Sequence, residues 1–120
     1  GPLESTEVSE QQRKLQRQQI TTTVTIENVL TGTASGELVN ITAEGLMMIS
    51  DHEVDTNSIF QFALILPEAI DGSRRIELGV DCLWCRKAEI FDRYWSGYQI
   101  IDASPQALRA IEVLIDRYAG

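Results

Sequence analysis

Glu37-Leu38-Val39-Asn40-Ile41-Thr42-Ala43-Glu44-Gly45-Leu46-Met47-Met48-Ile49 reads as two strands meeting at a tight turn. Side chains of a strand alternate between its faces. Val39 and Ile41 are therefore expected to point into a core, with Asn40 and Thr42 together on the other face. Asn40 both donates and accepts hydrogen bonds, and Thr42 adds a hydroxyl. Gly45 lets the backbone turn sharply or approach a neighbour closely. Leu46 to Ile49 then opens the next strand. Taken alone, this is the solvent face of a strand running into a turn.

The same β texture extends to both sides. Ile20 to Ile26 is dense in β-branched residues, with Ile20, Val24 and Ile26 on one face at period two. Thr31-Gly32 and Ser35-Gly36 read as turns. Ser50 to Asn57 reads as a polar loop. Ile59 to Leu66 is a long strand ended by Pro67, and Asp71-Gly72-Ser73 is a turn. Two more strands follow, Ile76 to Arg86 and Tyr94 to Ile101. Ser104-Pro105 then combines a hydroxyl N-cap with proline at the first helical position. Leu108, Ile111, Ile115 and Tyr118 repeat at helical spacing behind it. Six strands followed by one amphipathic helix predict an all-β fold, a barrel or sandwich, with the helix plugging or covering an open end.

Composition narrows the function classes. With 120 residues the chain has the size of one domain, and 43% hydrophobic against 23% charged residues is globular rather than disordered or fibrous. A net charge of -8 argues against a general DNA- or RNA-binding protein, because a phosphate backbone demands excess positive charge. No apolar run approaches the ~20 residues of a membrane-spanning helix, and no secretory signal is visible. Two cysteines, Cys82 and Cys85, are too few for a disulfide framework, which favours a cytoplasmic protein with free thiols. Gly1 to Ser5 looks like the scar of a cleaved expression tag. Residues 6–19 form a polar leader with little to bury, and residues 20–120 form the folded unit.

Few residues suggest catalysis. His52 lies in an acidic loop, Asp51-His52-Glu53, where a solvated surface role suffices. There is no glycine-rich phosphate loop before a helix and no nucleophile motif. Cys82-Leu83-Trp84-Cys85 is a CxxC, but in a regular strand its thiols face opposite ways and cannot clasp one zinc. A thioredoxin-like site would also need the motif at a helix start. The leader says more. Arg13, Lys14 and Arg17 are the only charges between Gln11 and Ile26, a basic island in an acidic chain. Arginine's planar fork suits phosphates and guanine edges.

Together these residues resemble a known family. Arg13-Lys14-Leu15-Gln16-Arg17 resembles the RxxxR motif of PilZ domains, and Asn40-Ile41-Thr42-Ala43-Glu44-Gly45 resembles their [D/N]xSxxG motif. One strand and one hairpin separate the two motifs, as the family requires. Leu83-Trp84-Cys85-Arg86, the segment Ser96 to Ser104 and the closing helix are also PilZ-like, so the resemblance runs from Arg13 to Tyr118. It implies a six-stranded antiparallel β-barrel with a C-terminal helix. It also implies a bacterial, non-enzymatic receptor for cyclic di-GMP that needs no cofactor and binds one or two ligand molecules. By motif position Arg13 and Arg17, with Lys14 between them, would meet phosphates and guanine edges. Asn40 and Thr42 would make polar contacts to a guanine, Gly45 would admit the ligand to the backbone, and Trp84 would place a ring near a guanine. The leader would close over ligand on the barrel surface and so signal to a partner protein or a neighbouring domain. Two departures stand out. Thr42 replaces the usual serine, keeping the hydroxyl and adding a methyl, and Glu44 sets a negative charge inside the motif. The alternatives are a PilZ-type interaction adaptor that binds no nucleotide and, further off, a thiol oxidoreductase using Cys82 and Cys85.

Overall fold

A computed structural model describes residues 20–89 and 91–119. The leader, with Arg13, Lys14 and Arg17, lies outside the described residues. The elements are β1 (Thr25–Asn28), β2 (Thr33–Ile41), β3 (Gly45–Ser50), β4 (Ile59–Ile70), β5 (Ser73–Lys87), β6 (Tyr94–Asp102) and α1 (Pro105–Tyr118). Every strand pair is antiparallel, and the order β1-β2-β3-β6-β5-β4 closes into a barrel. A closed six-stranded antiparallel barrel with a C-terminal helix is the PilZ-like fold.

Alternation along the strands fills the interior. Ile26, Leu38, Ile41, Met48, Phe62, Leu64, Leu78 and Val80 are all buried. Tyr98 lies edge-on to Phe62, with ring centres 5.1 Å apart. The helix covers one end of the barrel against β4 and β5. Ser104 caps it as its sequence predicts, its Oγ accepting from the Ala107 N–H at 3.0 Å. The buried stripe, however, is Ala107, Ala110, Ile111 and Leu114. Of the four residues expected to line it, only Ile111 is fully buried, and Leu108 is exposed. The two small alanines let the helix sit close to the strands and rotate its contact face away from Leu108.

Other local expectations also shift. The Asp71-Gly72 turn forms, with φ positive at both residues (51° and 81°) as a tight two-residue hairpin turn of the mirror-image type needs. Gly32 turns at φ 71°. Ser35-Gly36 is no turn but lies inside β2, where Gly36 lets the Ile49 carbonyl of β3 come close. Pro67 does not end β4, which runs on to Ile70. Proline has no N–H to give, and the β4–β5 ladder is interrupted between Ile65 and Ile70. The first strand is shorter than its β-branched stretch. Ile20 makes only an isolated bridge to Ala119, and regular pairing begins at Thr25.

Candidate functional site

Two β-bulges decide which side chains reach the outside of the barrel. In β2, Leu38 pairs with Met48 and Asn40 with Met47, so Val39 is an extra residue. Leu38 and Ile41, three apart, both point inward. Val39 is only half-buried, which corrects its expected place in the core. Asn40 remains on the outer face. In β5, Cys82 pairs with Tyr98 and Trp84 with Gly97, which makes Leu83 the extra residue. Without that insertion Trp84 would share the inward phase of Cys82. With it, Trp84 turns outward and is 37% exposed.

The second bulge also overturns the expected separation of the cysteines. Cys82 is fully buried, and Cys85, paired with the buried Ser96, packs against the same core. Burial, with the Cys85 thiol nearby, pushes the Cys82 thiol pKa up, away from the reactive thiolate. Its Sγ donates to the Trp84 carbonyl at 3.6 Å, while the Cys85 Sγ accepts from the Val54 N–H at 3.4 Å. Both cysteines lie within β5, away from any helix start. Among the described residues no group of three His, Cys, Asp or Glu side chains could hold a metal.

On the outer face, strand register lines up Asn40, Met47, Gly97 and Trp84 in one rank across β2, β3, β6 and β5. The Asn40 Nδ2 reaches the Met47 Sδ at 3.6 Å, a weak bond that leaves its carbonyl oxygen without a side-chain donor among the described residues. The Trp84 indole lies over Gly97, where a Cβ would strike the indole Nε1. Sequence reasoning passed over both Met47 and Gly97. Glycine opposite an outward tryptophan was the available signal, but it needed the register to be read.

The next rank holds the turn. Thr42 Oγ1 accepts from the Glu44 N–H at 3.0 Å and the Gly45 N–H at 3.1 Å, while the Thr42 N–H donates to the Gly45 carbonyl at 2.8 Å. The hydroxyl thereby shapes the loop that carries the motif. Gly45 fits because a Cβ there would lie 2.6 Å from the Tyr98 carbonyl oxygen. Glu44 is exposed, and its backbone carbonyl accepts from the Ile100 N–H. The structure thus brings Asn40, Thr42, Gly45 and Trp84 to one face.

The described chain begins beside them. The Ile20 N–H donates to the Val39 carbonyl at 2.9 Å, and the Thr21 N–H donates to the Tyr118 carbonyl at 2.8 Å. The residue after Gln19 is therefore anchored next to Asn40. A groove of roughly 310 Å³ opens beside the rank, walled by Met47, Trp84, Arg86 and Trp95. A larger cavity, roughly 580 Å³, lies past Trp95 against Ile49, Phe91 and Arg93, and none of the motif residues lines it.

No protein-family model and no curated protein matches the chain. Solved structures do. The fold is similar to that of the Bacillus subtilis inhibitor of motility MotI/DgrA, with a TM-score of 0.64 and 14% identity over 81% of this chain and 47% of that one. It is also similar to the Borreliella burgdorferi PlzA protein, crystallised in complex with c-di-GMP, with a TM-score of 0.50 and 14% identity over 91% of this chain and 48% of that one. The chain spans about half the length of either protein.

Proposed function

We propose that this chain is a non-enzymatic receptor domain for cyclic di-GMP. The observation that carries the reading is the anchor of Ile20 on Val39. Arg17 stands three residues before Ile20, so at ~3.3–3.6 Å per residue its backbone stays within about 11 Å of that point. Asn40 is the next residue along β2. The residue that follows the basic leader is thus fixed beside an amide-bearing strand, at one edge of the outer face. The likeness to PlzA, solved with c-di-GMP, supports the same ligand here.

The roles follow from chemistry. Arg13, Lys14 and Arg17 supply positive charge for the phosphates, and the arginine forks also suit the guanine O6/N7 edge. Asn40 offers both a donor and an acceptor to a guanine. Thr42 holds the turn, and Gly45 keeps the backbone open to close approach. Trp84 supplies a flat face for stacking. Ligand phosphates give the leader charge-assisted partners, and closing it over the ligand changes the surface offered to a partner protein or neighbouring domain.

Calorimetric titration of the full chain with cyclic di-GMP tests this. Micromolar or tighter binding is expected. A hydrogen bond to a charged group contributes about 1.5–3 kcal/mol, so Arg17→Ala should weaken binding about ten- to a hundredfold. Folded protein that gives no heat at high ligand concentration rules the reading out.

A further inference from the structure

Strand β5 carries a cation that the two motifs leave unused. Arg86 is exposed and in register with Trp95 on the outer face. Its guanidinium carbon lies 5.7 Å from the centre of the Trp84 ring. That distance lies within the ~6 Å of a cation–π contact with the indole. The indole itself is held over Gly97. Arg86 borders the groove with Met47, Trp84 and Trp95. Lys87 and Glu89 also line this groove, Lys87 pairing with Asp92 at 3.5 Å, while Arg93 pairs with Asp51 at 3.7 Å.

We infer that Arg86 is a specificity-determining residue that reads the guanine edge of a base stacked in this groove, an inference that rests on the cyclic di-GMP reading. A guanidinium stacked on an aromatic ring lies in the layer that a purine stacked on the same ring would fill. Its N–H fork then points along the plane of the purine at the edge of the base. Guanine presents two acceptors there, O6 and N7, which match the fork. Adenine presents an N6 amine in place of O6, so one arm of the fork meets a donor. Lysine in the same place supplies charge without the planar fork.

The test measures affinities of the full chain for cyclic di-GMP and cyclic di-AMP, in wild type, Arg86→Ala, Arg86→Lys and Arg17→Ala, with folding checked by thermal denaturation. Arg86→Ala and Arg86→Lys are each expected to lose about ten- to a hundredfold for cyclic di-GMP and to leave cyclic di-AMP unchanged within a few-fold. Equal losses for both ligands overturn the inference, because Arg86 would then hold a phosphate. Full retention of cyclic di-GMP affinity in Arg86→Lys overturns it too, since charge alone would suffice. Tight wild-type binding that falls in Arg17→Ala but not in Arg86→Ala overturns this inference and leaves the receptor reading standing. Absence of cyclic di-GMP binding by the folded wild type overturns both.

Discussion

Trp84 owes its position to a neighbour with no side chain. Gly97 leaves a gap on β6 that the indole fills, and an added Cβ would meet the tip of that indole. An indole can swing aside, so Gly97→Ala should still fold, losing about 1–3 kcal/mol as overpacked sites do. Cyclic di-GMP affinity should fall about tenfold or more if a base stacks on Trp84, since such stacking contributes ~1–3 kcal/mol. Near-ultraviolet circular dichroism would register the displaced ring. Gly45→Ala is the contrasting case. Its Cβ would press on the Tyr98 carbonyl oxygen at 2.6 Å, and a barrel backbone cannot swing away. Urea denaturation should show the larger loss at Gly45. The polar character of Asn40 and Thr42 was legible in the sequence, because period-two alternation separates them from Ile41. That the Thr42 hydroxyl accepts two backbone N–H groups of its own turn was not, because a hydroxyl does not announce its donor.

At the scale of elements, strand existence was readable and strand phase was not. Apolar and β-branched runs mark all six strands, but a bulge adds one residue without any compositional sign. Val39 and Leu83 are ordinary apolar residues, yet each inverts the inward-outward sense of the residues beyond it. For this reason the cysteines were expected on opposite faces and Val39 in the core. The bulges also place Asn40 and Trp84 on the same rank from strands at opposite ends of a four-strand sheet segment. Helix α1 shows the complementary case, a start fixed by local chemistry and a contact face fixed by packing. Its start follows from Ser104 and Pro105 alone, and the Ser104 Oγ takes up the Ala107 N–H. Ser104→Ala should therefore cost about 1 kcal/mol. Thermal unfolding would read this as a lower Tm with the barrel still formed. No loss of Tm would mean that burial of Ile111 and Leu114 holds the first turn without its cap.

For the whole molecule, charge is distributed in a way that composition alone conceals. Over residues 1–19 the acids Glu4, Glu7 and Glu10 balance Arg13, Lys14 and Arg17, so the full net charge of -8 belongs to residues 20–120. A dianionic ligand must approach a barrel that repels it at long range. On the receptor reading proposed above, the attraction would come from a short basic island and act only nearby. Salt separates these two effects. The screening length shrinks from about 30 Å at 0.01 M to about 8 Å at 0.15 M, which removes the barrel's repulsion before it removes contacts of a few ångströms. The association rate of cyclic di-GMP should accordingly rise with ionic strength over this range, against the fall usual for proteins that bind phosphate through excess positive charge. The dissociation rate should rise as well, because arginine-to-phosphate bonds weaken in salt. Stopped-flow measurement of both rates on the tryptophan signal would separate the two. An association rate that falls from the lowest salt upward would mean that residues 13–17 dominate the field at the site, and that the charge of the barrel does not govern ligand capture.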